Sequence, residues 1–392
     1  YMHTRELDQQ YIIGTYKRQN VVLTRGCGAV AYDEEGKAYI DFGSGIGVNS
    51  LGYCDKKWAD AVADQAHCLQ HTSNLYYTQP AVRLAQLLCT KTGYRKVLFC
   101  NSGAEANEGA IKIARKYSFD KYGVEANRSR ILTLQNSFHG RTVTTLAATG
   151  QEAFHNYFFP FTEGFSYAPA NDINAVKEIL GQGGHCAVLF EFIQGEGGVV
   201  PLDRDFVDEL FRYCEAHDIL TIADEVQTGI GRTGTLLASE QFGVKPNITT
   251  LAKGLGGGLP IGAVLTDAKT MNVLSFGDHG TTFGANPVVC AGAYDALSRI
   301  ADSDFLAEVR RKGDVLRMAL LTSDEVESVA GLGMMLGVTL RTKAVADVLK
   351  ACVERGLLPL TAKAKLRLLP PLIIDDETLE KGIQILLSVL NE

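Results

Sequence analysis

The chain has 392 residues, enough for about two to three domains, and its 38 basic and 45 acidic side chains give a formal net charge of −7. Hydrophobic residues make up 46% and charged residues 21% of the sequence, a balance that argues against a disordered chain or a coiled coil. The acidic charge and the lack of a basic run argue against a nucleic-acid partner, and no apolar stretch has the length of a membrane span.

The first predicted elements are short strands within residues 21–42, where apolar and polar residues alternate around the turn sequence DEEGK. From residue 96 onward, apolar strands alternate with helical patterns. Examples are KVLFC followed by AEANEGAIKIARKYS, and CAVLFEFI followed by DFVDELFRYCEAHD. Strands separated by helices predict a parallel sheet with both faces covered.

After residue 287 the pattern becomes mostly helical, with the segments VVCAGAYDALSRI and DFLAEVRRKGDVLRMAL. The chain then closes with LGMMLGVTL, a helix around residues 345–355, LRLLPPLII and a final helix. This mixture of strands and helices predicts a second, smaller lobe.

The nine cysteines are scattered, with no two closer than 11 residues, so no CxxC pair is available for a zinc or redox site. An odd, scattered set is typical of reduced thiols. The first 30 residues contain no apolar core of signal-peptide length. The sequence therefore predicts a cytoplasmic protein without a metal centre.

Glycine is the residue in excess, with 40 in the chain, or about 10% against an average near 7%. One glycine-containing turn follows the strand KVLFC, where Asn101, Ser102 and Gly103 precede a helix with Glu105 in its first turn. Free backbone N–H groups and the positive end of a helix suit a phosphate. An ordinary capped helix explains the same pattern, and neither the P-loop nor the Rossmann glycine pattern is present.

A second segment, ILTIADEVQTGIGRTG, places Asp224, Glu225 and Gln227 at the end of a buried strand. Ligands of open α/β sheets bind at the carboxyl ends of the strands. No histidine or further acid follows at ligand spacing, so a metal site is disfavoured. A single carboxylate that stays ionised beside a cation fits the pattern better.

A third segment, NITTLAKGLGGGLPIGAV, places Lys253 between an apolar strand and a run of glycines. A desolvated amine has a lowered pKa and becomes the neutral nucleophile that Schiff-base chemistry requires. The alternative is a lysine that extends from a strand end into solvent. A phosphate site, a strand-end carboxylate and a buried lysine together are what pyridoxal 5′-phosphate (PLP) needs.

Six strings, in order between residues 101 and 287, resemble the class III (ω-amino acid) aminotransferases, a family of PLP enzymes of fold type I. The strings are NSGAEANEGAIKIARK, NSFHGRT, EFIQGEGGV, ADEVQTGIGRTG, LAKGLGGGLPIGA and HGTTFGANP. Two further strings, DFGSGIGVNSLGY and HTSNLYYTQP, resemble the members that act on N-acetylornithine rather than on ornithine or 4-aminobutyrate.

The resemblance implies a set of cofactor contacts. Lys253 would form the internal aldimine and then carry the proton between the substrate carbon and the cofactor. Asp224 would pair with the pyridinium nitrogen, Gln227 would bond to the ring hydroxyl, and Phe138 would stack on the ring. The phosphate-binding turn corresponds to Ser102, Gly103 and Ala104, completed by Thr282 of the partner subunit.

The resemblance also implies how two substrates share one site. Arg141 and Arg367 correspond to the carboxylate-binding arginines of the family. Arg141 would hold the far carboxylate of either substrate, whereas Arg367 would be needed only for glutamate or 2-oxoglutarate. Glu196 would neutralise Arg367 while the amine donor is bound, because an unpaired buried arginine is costly.

The implied architecture is α/β: a large domain of residues 46–286 around a seven-stranded, mostly parallel sheet, and a smaller α+β domain built from residues 1–45 and 287–392. The enzyme would be a homodimer with its active site at the interface. The implied reaction is ping-pong transfer of the terminal amine of N-acetylornithine to 2-oxoglutarate, in arginine biosynthesis. Succinylornithine, ornithine, acylated lysine and 4-aminobutyrate remain alternative donors.

Two other classes of function also remain open. A lyase or aminomutase on the same fold would keep Lys253 and Asp224 without needing 2-oxoglutarate, and a nucleotide-binding module would bind no PLP.

His139, in the string FHGR, is interpreted as a packed structural histidine, because Lys253 already supplies acid/base function. Ala104 stands where many relatives have threonine, which leaves the phosphate to backbone donors.

Overall fold

A computed structural model describes residues 3–392 of the chain. The strands are β1 (Leu23–Cys27), β2 (Val30–Asp33), β3 (Ala38–Asp41), β4 (Lys96–Cys100), β5 (Arg130–Leu134), β6 (Phe165–Ala168), β7 (His185–Phe190), β8 (Ile193–Gln194), β9 (Val200–Pro201), β10 (Leu220–Asp224), β11 (Ile248–Leu251), β12 (Gly262–Thr266), β13 (Val326–Leu332), β14 (Met335–Leu340), β15 (Leu357–Leu358), β16 (Leu360–Ala362) and β17 (Lys365–Leu368).

The helices are α1 (Thr4–Tyr11), α2 (Ser44–Gly47), α3 (Lys56–Cys68), α4 (Gln79–Thr92), α5 (Gly103–Tyr122), α6 (Val143–Ala148), α7 (Ile173–Gly181), α8 (Arg204–Ala216), α9 (Ser239–Phe242), α10 (Pro287–Ile300), α11 (Ser303–Leu320), α12 (Val345–Glu354) and α13 (Asp376–Asn391). Short 3-10 turns lie at Ser73–Leu75, Val124–Ala126, Glu152–Phe154 and Lys253–Leu255. No helix within residues 3–392 is both long and apolar enough to cross a bilayer.

The central feature is a seven-stranded sheet with the order β4-β12-β11-β10-β7-β5-β6. Only β12 is antiparallel to its neighbours, so the other six strands run in one direction and their carboxyl ends meet at one edge. The strands β7, β10, β11 and β12 are buried at every position, as expected where helices cover both faces. The prediction of a mostly parallel sheet is therefore confirmed.

The two ends of the chain meet in smaller sheets. The predicted N-terminal strands are present as β1, β2 and β3, and β3 pairs in parallel with β15 from the C-terminal part. A second sheet has the order β13-β14-β17-β16. Apolar side chains from both parts share one core, including Phe42, Val338, Leu366 and Leu386. Because β17 carries Arg367, this core fixes a residue that the sequence assigned to the substrate site.

Candidate active site

A cavity of about 450 Å³ opens at the edge of the central sheet where the parallel strands end. It is lined by residues that follow β4, β5, β7, β10 and β11, as expected for a ligand site of an open α/β sheet. Eight of the eleven site residues predicted from the sequence line it: Ser102, Gly103, Ala104, Phe138, Glu196, Asp224, Gln227 and Lys253.

The N-terminus of α5 forms one wall of the cavity. Ser102 caps the helix, and its hydroxyl oxygen accepts a hydrogen bond from the backbone N–H of Glu105 at 3.1 Å. A Cβ atom at Gly103 would lie 2.8 Å from a methyl group of Val226, so only glycine permits this close approach. The first backbone N–H groups of a helix have no partner within the helix, and they give this wall a partial positive charge.

The carboxylate of Asp224 is buried at the end of β10 and is held by three hydrogen bonds. Its Oδ2 accepts from Nδ1 of His139 at 2.8 Å and from Nδ2 of Asn107 at 2.9 Å. Its Oδ1 accepts from the backbone N–H of Val226 at 3.0 Å. Asn107 in turn accepts from the hydroxyl of Thr250 at 2.8 Å. The carboxylate is therefore fixed in orientation before any ligand binds.

Two of these partners extend the sequence interpretation. His139 is buried, consistent with a packed histidine, but the sequence did not reveal that its ring nitrogen binds Asp224. Asn107 lies one turn into α5. The string NSGAEANEG contains this residue but does not show that its side chain points toward Asp224. Glu225, adjacent to Asp224, points elsewhere and accepts from the backbone N–H groups of Ala238 and Ser239.

Lys253 follows β11 and lines the same cavity as Asp224. Burial lowers the pKa of its amine to about 8, against the opposing effect of the nearby carboxylates of Glu196 and Asp224. Its Nζ donates to the backbone carbonyl of Ile46 at 3.2 Å. A fraction of the amine is therefore neutral near neutral pH, which supports the sequence-based hypothesis of a desolvated lysine.

The carbonyl that receives Lys253 belongs to an unusual turn. All four residues of α2, from Ser44 to Gly47, have positive φ, and φ is 66° at Ile46. This region is unfavourable for a β-branched residue. Backbone strain of this kind often occurs at functional sites, where the surrounding structure enforces it.

Glu196 and Arg367 form a closed ion pair at the side of the cavity. Nη1 of Arg367 lies 2.8 Å from Oε1 of Glu196 and 3.3 Å from Oε1 of Gln227. The Arg367 side chain is 4% exposed, and that of Glu196 is 33% exposed. Glu196 therefore has room to leave, whereas Arg367 does not.

Glu191 is a further site residue that the sequence reasoning missed. It lies directly after β7, lines the cavity and is buried. One carboxylate oxygen accepts from the N–H of Phe138 at 2.9 Å, and the other accepts from the N–H of Gly195 at 3.2 Å. Burial, with a smaller contribution from Asp224, raises the pKa of this carboxyl group well above its usual value. Asp224 was predicted because it lies at the end of a strand, and the same position at the end of β7 could have identified Glu191.

The remaining two predicted residues lie outside the cavity. Arg141 is exposed, and its guanidinium lies 4.8 Å from the ring centre of Phe154 and 5.8 Å from that of Phe138. Thr282 lines a separate surface cleft. Its neighbour Thr281 accepts a hydrogen bond from Asn101 at 2.9 Å, which connects that cleft to the start of α5.

The cavity fits the cofactor that the sequence predicts. It combines the N-terminus of a helix, an aromatic side chain, a fixed carboxylate and an amine with a lowered pKa. A Cβ atom at Gly195 would lie 2.4 Å from the amide nitrogen of Gln227. Because glycine has no Cβ, the Gln227 side chain fits in the cavity wall. An anion, an aromatic ring with a basic nitrogen, and a carbonyl group are the complementary chemical groups.

Known proteins match this chain along nearly its whole length. The Aminotransferase class-III family model matches residues 13–390. The acetylornithine aminotransferase of Haemophilus ducreyi is 55% identical over 389 residues, covering 99% of this chain and 98% of that protein. The succinylornithine transaminase of Yersinia pseudotuberculosis is 39% identical over 392 residues, covering 97% of this chain and 94% of that protein.

Solved structures agree as well. Two structures of the ornithine aminotransferase of Toxoplasma gondii superpose with TM-scores of 0.94 and 0.93 at 32% identity. They cover 98% of this chain and 94% and 93% of theirs, and the second has PLP at partial occupancy in its active site.

Proposed function

This chain belongs to the class III aminotransferases, and we propose that it transfers the terminal amine of N-acetylornithine to 2-oxoglutarate, leaving the semialdehyde and glutamate. The observation that carries the choice of donor is the 55% identity with the acetylornithine aminotransferase of Haemophilus ducreyi over nearly the full length of both chains. The reaction is a step of arginine biosynthesis.

Class III aminotransferases use PLP, and the cavity residues are proposed to hold it. Bound PLP supplies an aldehyde that reacts with amines and a ring that withdraws electrons from the substrate carbon. Ser102, Gly103 and Ala104 would bind the phosphate at the N-terminus of α5. Phe138 would lie against the ring, and Gln227 would bond to its hydroxyl group.

Lys253 is proposed as the residue that moves the proton. Because burial lowers the pKa of the amine to about 8, its Nζ accepts a proton near neutral pH more readily than an exposed lysine does. In this role Nζ would take the proton from the carbon that carries the donor amine and pass it to the bound cofactor. In the second half of the reaction Nζ would take a proton back from the cofactor and deliver it to the reacting carbon of the acceptor. Between proton transfers, the backbone carbonyl of Ile46 would accept a hydrogen bond from Nζ and hold it in the cavity.

Asp224 is proposed to face the ring nitrogen of the cofactor. His139 and Asn107 donate to the same carboxylate oxygen, so Asp224 keeps one orientation. A buried carboxylate beside the ring nitrogen favours the protonated ring, which withdraws electrons most strongly. In this role His139 would belong to the site as a hydrogen-bond partner of Asp224.

The two arginines are proposed to separate the two substrates. Arg141 would bind the carboxylate that N-acetylornithine and glutamate each carry far from the reacting amine. Only glutamate carries a second carboxylate at the reacting carbon, where Arg367 would bind it. While the donor is bound, Glu196 occupies Arg367, as in the ion pair at 2.8 Å.

Succinylornithine is the second candidate donor, because the succinylornithine transaminase of Yersinia pseudotuberculosis also matches over most of the chain. Both donors present the same terminal amine and carboxylate and differ in the acyl group. A donor panel of N-acetylornithine, N-succinylornithine, ornithine and 4-aminobutyrate, each with 2-oxoglutarate, tests the assignment. We expect the highest kcat/KM for N-acetylornithine; a higher value for another donor would contradict the proposal.

We also propose a homodimer and a two-domain chain. The partner's Thr282 would complete the phosphate site, which is consistent with the position of this residue in a cleft outside its own cavity. Residues 46–286 would form the large domain, and residues 1–45 with 287–392 the small one. The pairing of β3 with β15 supports this division, because it joins the two ends of the chain.

A further inference from the structure

One buried acid in the cavity has no part in the mechanism above. Glu191 accepts hydrogen bonds from two backbone N–H groups that lie far apart along the chain, those of Phe138 and Gly195. Phe138 belongs to the wall proposed to face the cofactor ring, and Gly195 directly precedes Glu196. A single carboxyl group therefore connects the aromatic wall to the segment that carries Glu196.

The segment around Gly195 is held from its other side as well. A Cβ atom at Gly195 would lie 2.4 Å from the amide nitrogen of Gln227, so the backbone packs directly against that side chain. Gln227 and Glu196 both contact Nη1 of Arg367. A series of contacts thus connects Glu191 with the ion pair between Glu196 and Arg367.

We propose that Glu191 is a positioning residue for donor selection, holding the Gly195 backbone so that Glu196 stays within reach of Arg367. The inference rests on the proposed function, because it assumes that Glu196 and Arg367 distinguish the two substrates. Glu191 itself would touch neither substrate nor the reacting atoms. Its effect would appear in the choice between substrates rather than in the chemical step.

The variant Glu191→Gln tests this role with almost no change in shape. An amide nitrogen cannot accept a hydrogen bond, so one of the two backbone N–H groups loses its partner whichever way the side chain turns. A less firmly held Glu196 leaves Arg367 more easily, which favours glutamate. We expect kcat/KM for glutamate relative to N-acetylornithine to rise about threefold to tenfold.

Glu225→Gln is the matched control. Glu225 is also buried, also follows a strand of the central sheet and also accepts from two backbone N–H groups, but it does not line the cavity. It should lose a similar amount of stability while leaving the substrate ratio unchanged. Hydrogen exchange on the full chain adds a second readout: Glu191→Gln should speed exchange in residues 136–141 and 193–198, and Glu225→Gln in residues 237–240.

The outcomes separate this inference from the proposed function. If Glu196→Ala shifts the substrate ratio and Glu191→Gln does not, the inference is wrong and the proposed function stands. If neither variant shifts it, the selection by Glu196 is wrong and the inference falls with it. If Glu191→Gln does not fold, Glu191→Asp, which keeps the carboxyl group on a shorter side chain, should shift the ratio in the same direction; an unchanged ratio there also overturns the inference.

Discussion

The cavity floor, formed by Asp224, Lys253 and Glu191, differs sharply from three residues outside the cavity, Arg141, Phe154 and Thr282, which we call the rim. The floor follows the buried strands β7, β10 and β11, and hydrogen bonds within the chain hold its polar groups. At the rim, Arg141 is exposed and lies only over aromatic rings, and Thr282 faces a separate cleft. The comparison teaches that the chain itself organises the floor, where we propose that Lys253 and Asp224 act, whereas the substrate contacts proposed for the rim would be completed on binding.

Removing the amine from the cavity floor should have the largest effect. We expect Lys253→Ala to lower kcat by at least about 10³-fold, because no other group replaces the proton carrier. Lys245→Ala is the control, since Lys245 is exposed and its amine contacts the carbonyl of Gly93 and the ring of Tyr94, both outside the cavity. Steady-state turnover of both variants measures the difference. Turnover retained in Lys253→Ala would remove the basis for calling the floor catalytic.

The floor should also differ from the surface in its pH dependence. Burial lowers the pKa of Lys253 to about 8, so its neutral, reactive fraction should rise about tenfold per pH unit up to pH 8 and then level off. An exposed lysine should go on gaining reactivity to about pH 10. Competitive acetylation of the cofactor-free protein mixed with an unstructured lysine-containing peptide, located by mass spectrometry, compares Lys253 with a freely exposed lysine in one sample. Parallel profiles for the two residues would contradict a desolvated amine.

The boundary between floor and rim is tested by the ion pair of Glu196 with Arg367. Glu196→Ala leaves a buried arginine without its partner, so Arg367 should accept the carboxylate of glutamate more readily. We expect kcat/KM for glutamate relative to N-acetylornithine to rise about tenfold. Assays with each substrate alone measure this ratio, and equal relative efficiencies in the variant and the parent enzyme would rule out the switch.

The smallest effect is expected at the rim itself. In Phe154→Ala, Arg141 loses the ring that lies 4.8 Å from its guanidinium, and we expect KM to rise about twofold to fivefold for both substrates with kcat little changed. Phe158→Ala is the matched control, because Phe158 is an exposed aromatic residue in the same loop that does not contact Arg141. A change in kcat without a change in KM would show that the rim is part of the chemical machinery.

The cavity floor was largely predictable from the sequence, because Asp224 and Lys253 end apolar strands and the ends of parallel strands meet. The hydrogen bond from His139 to Asp224 could not be predicted, because it depends on how the ends of two strands far apart in the sequence lie next to each other. The left-handed turn at Ile46 was not predictable either, since a β-branched residue gives no local signal for positive φ.

The rim was less accessible to sequence reasoning. The resemblance marked Arg141, but neither its exposure nor its contact with Phe154 follows from spacing along the chain. Thr282 was assigned to the partner subunit, and that contact stays a prediction. Residues whose partners come from other segments or from another chain leave no periodic pattern to read.

The most direct test of the central claim is the visible absorbance of the PLP-loaded enzyme through two half-reactions. We predict that N-acetylornithine alone bleaches the band and that 2-oxoglutarate then restores it, with one semialdehyde formed per active site in the first step. A band that N-acetylornithine leaves unchanged, or that returns without 2-oxoglutarate, would contradict an aminotransferase built on Lys253 and Asp224.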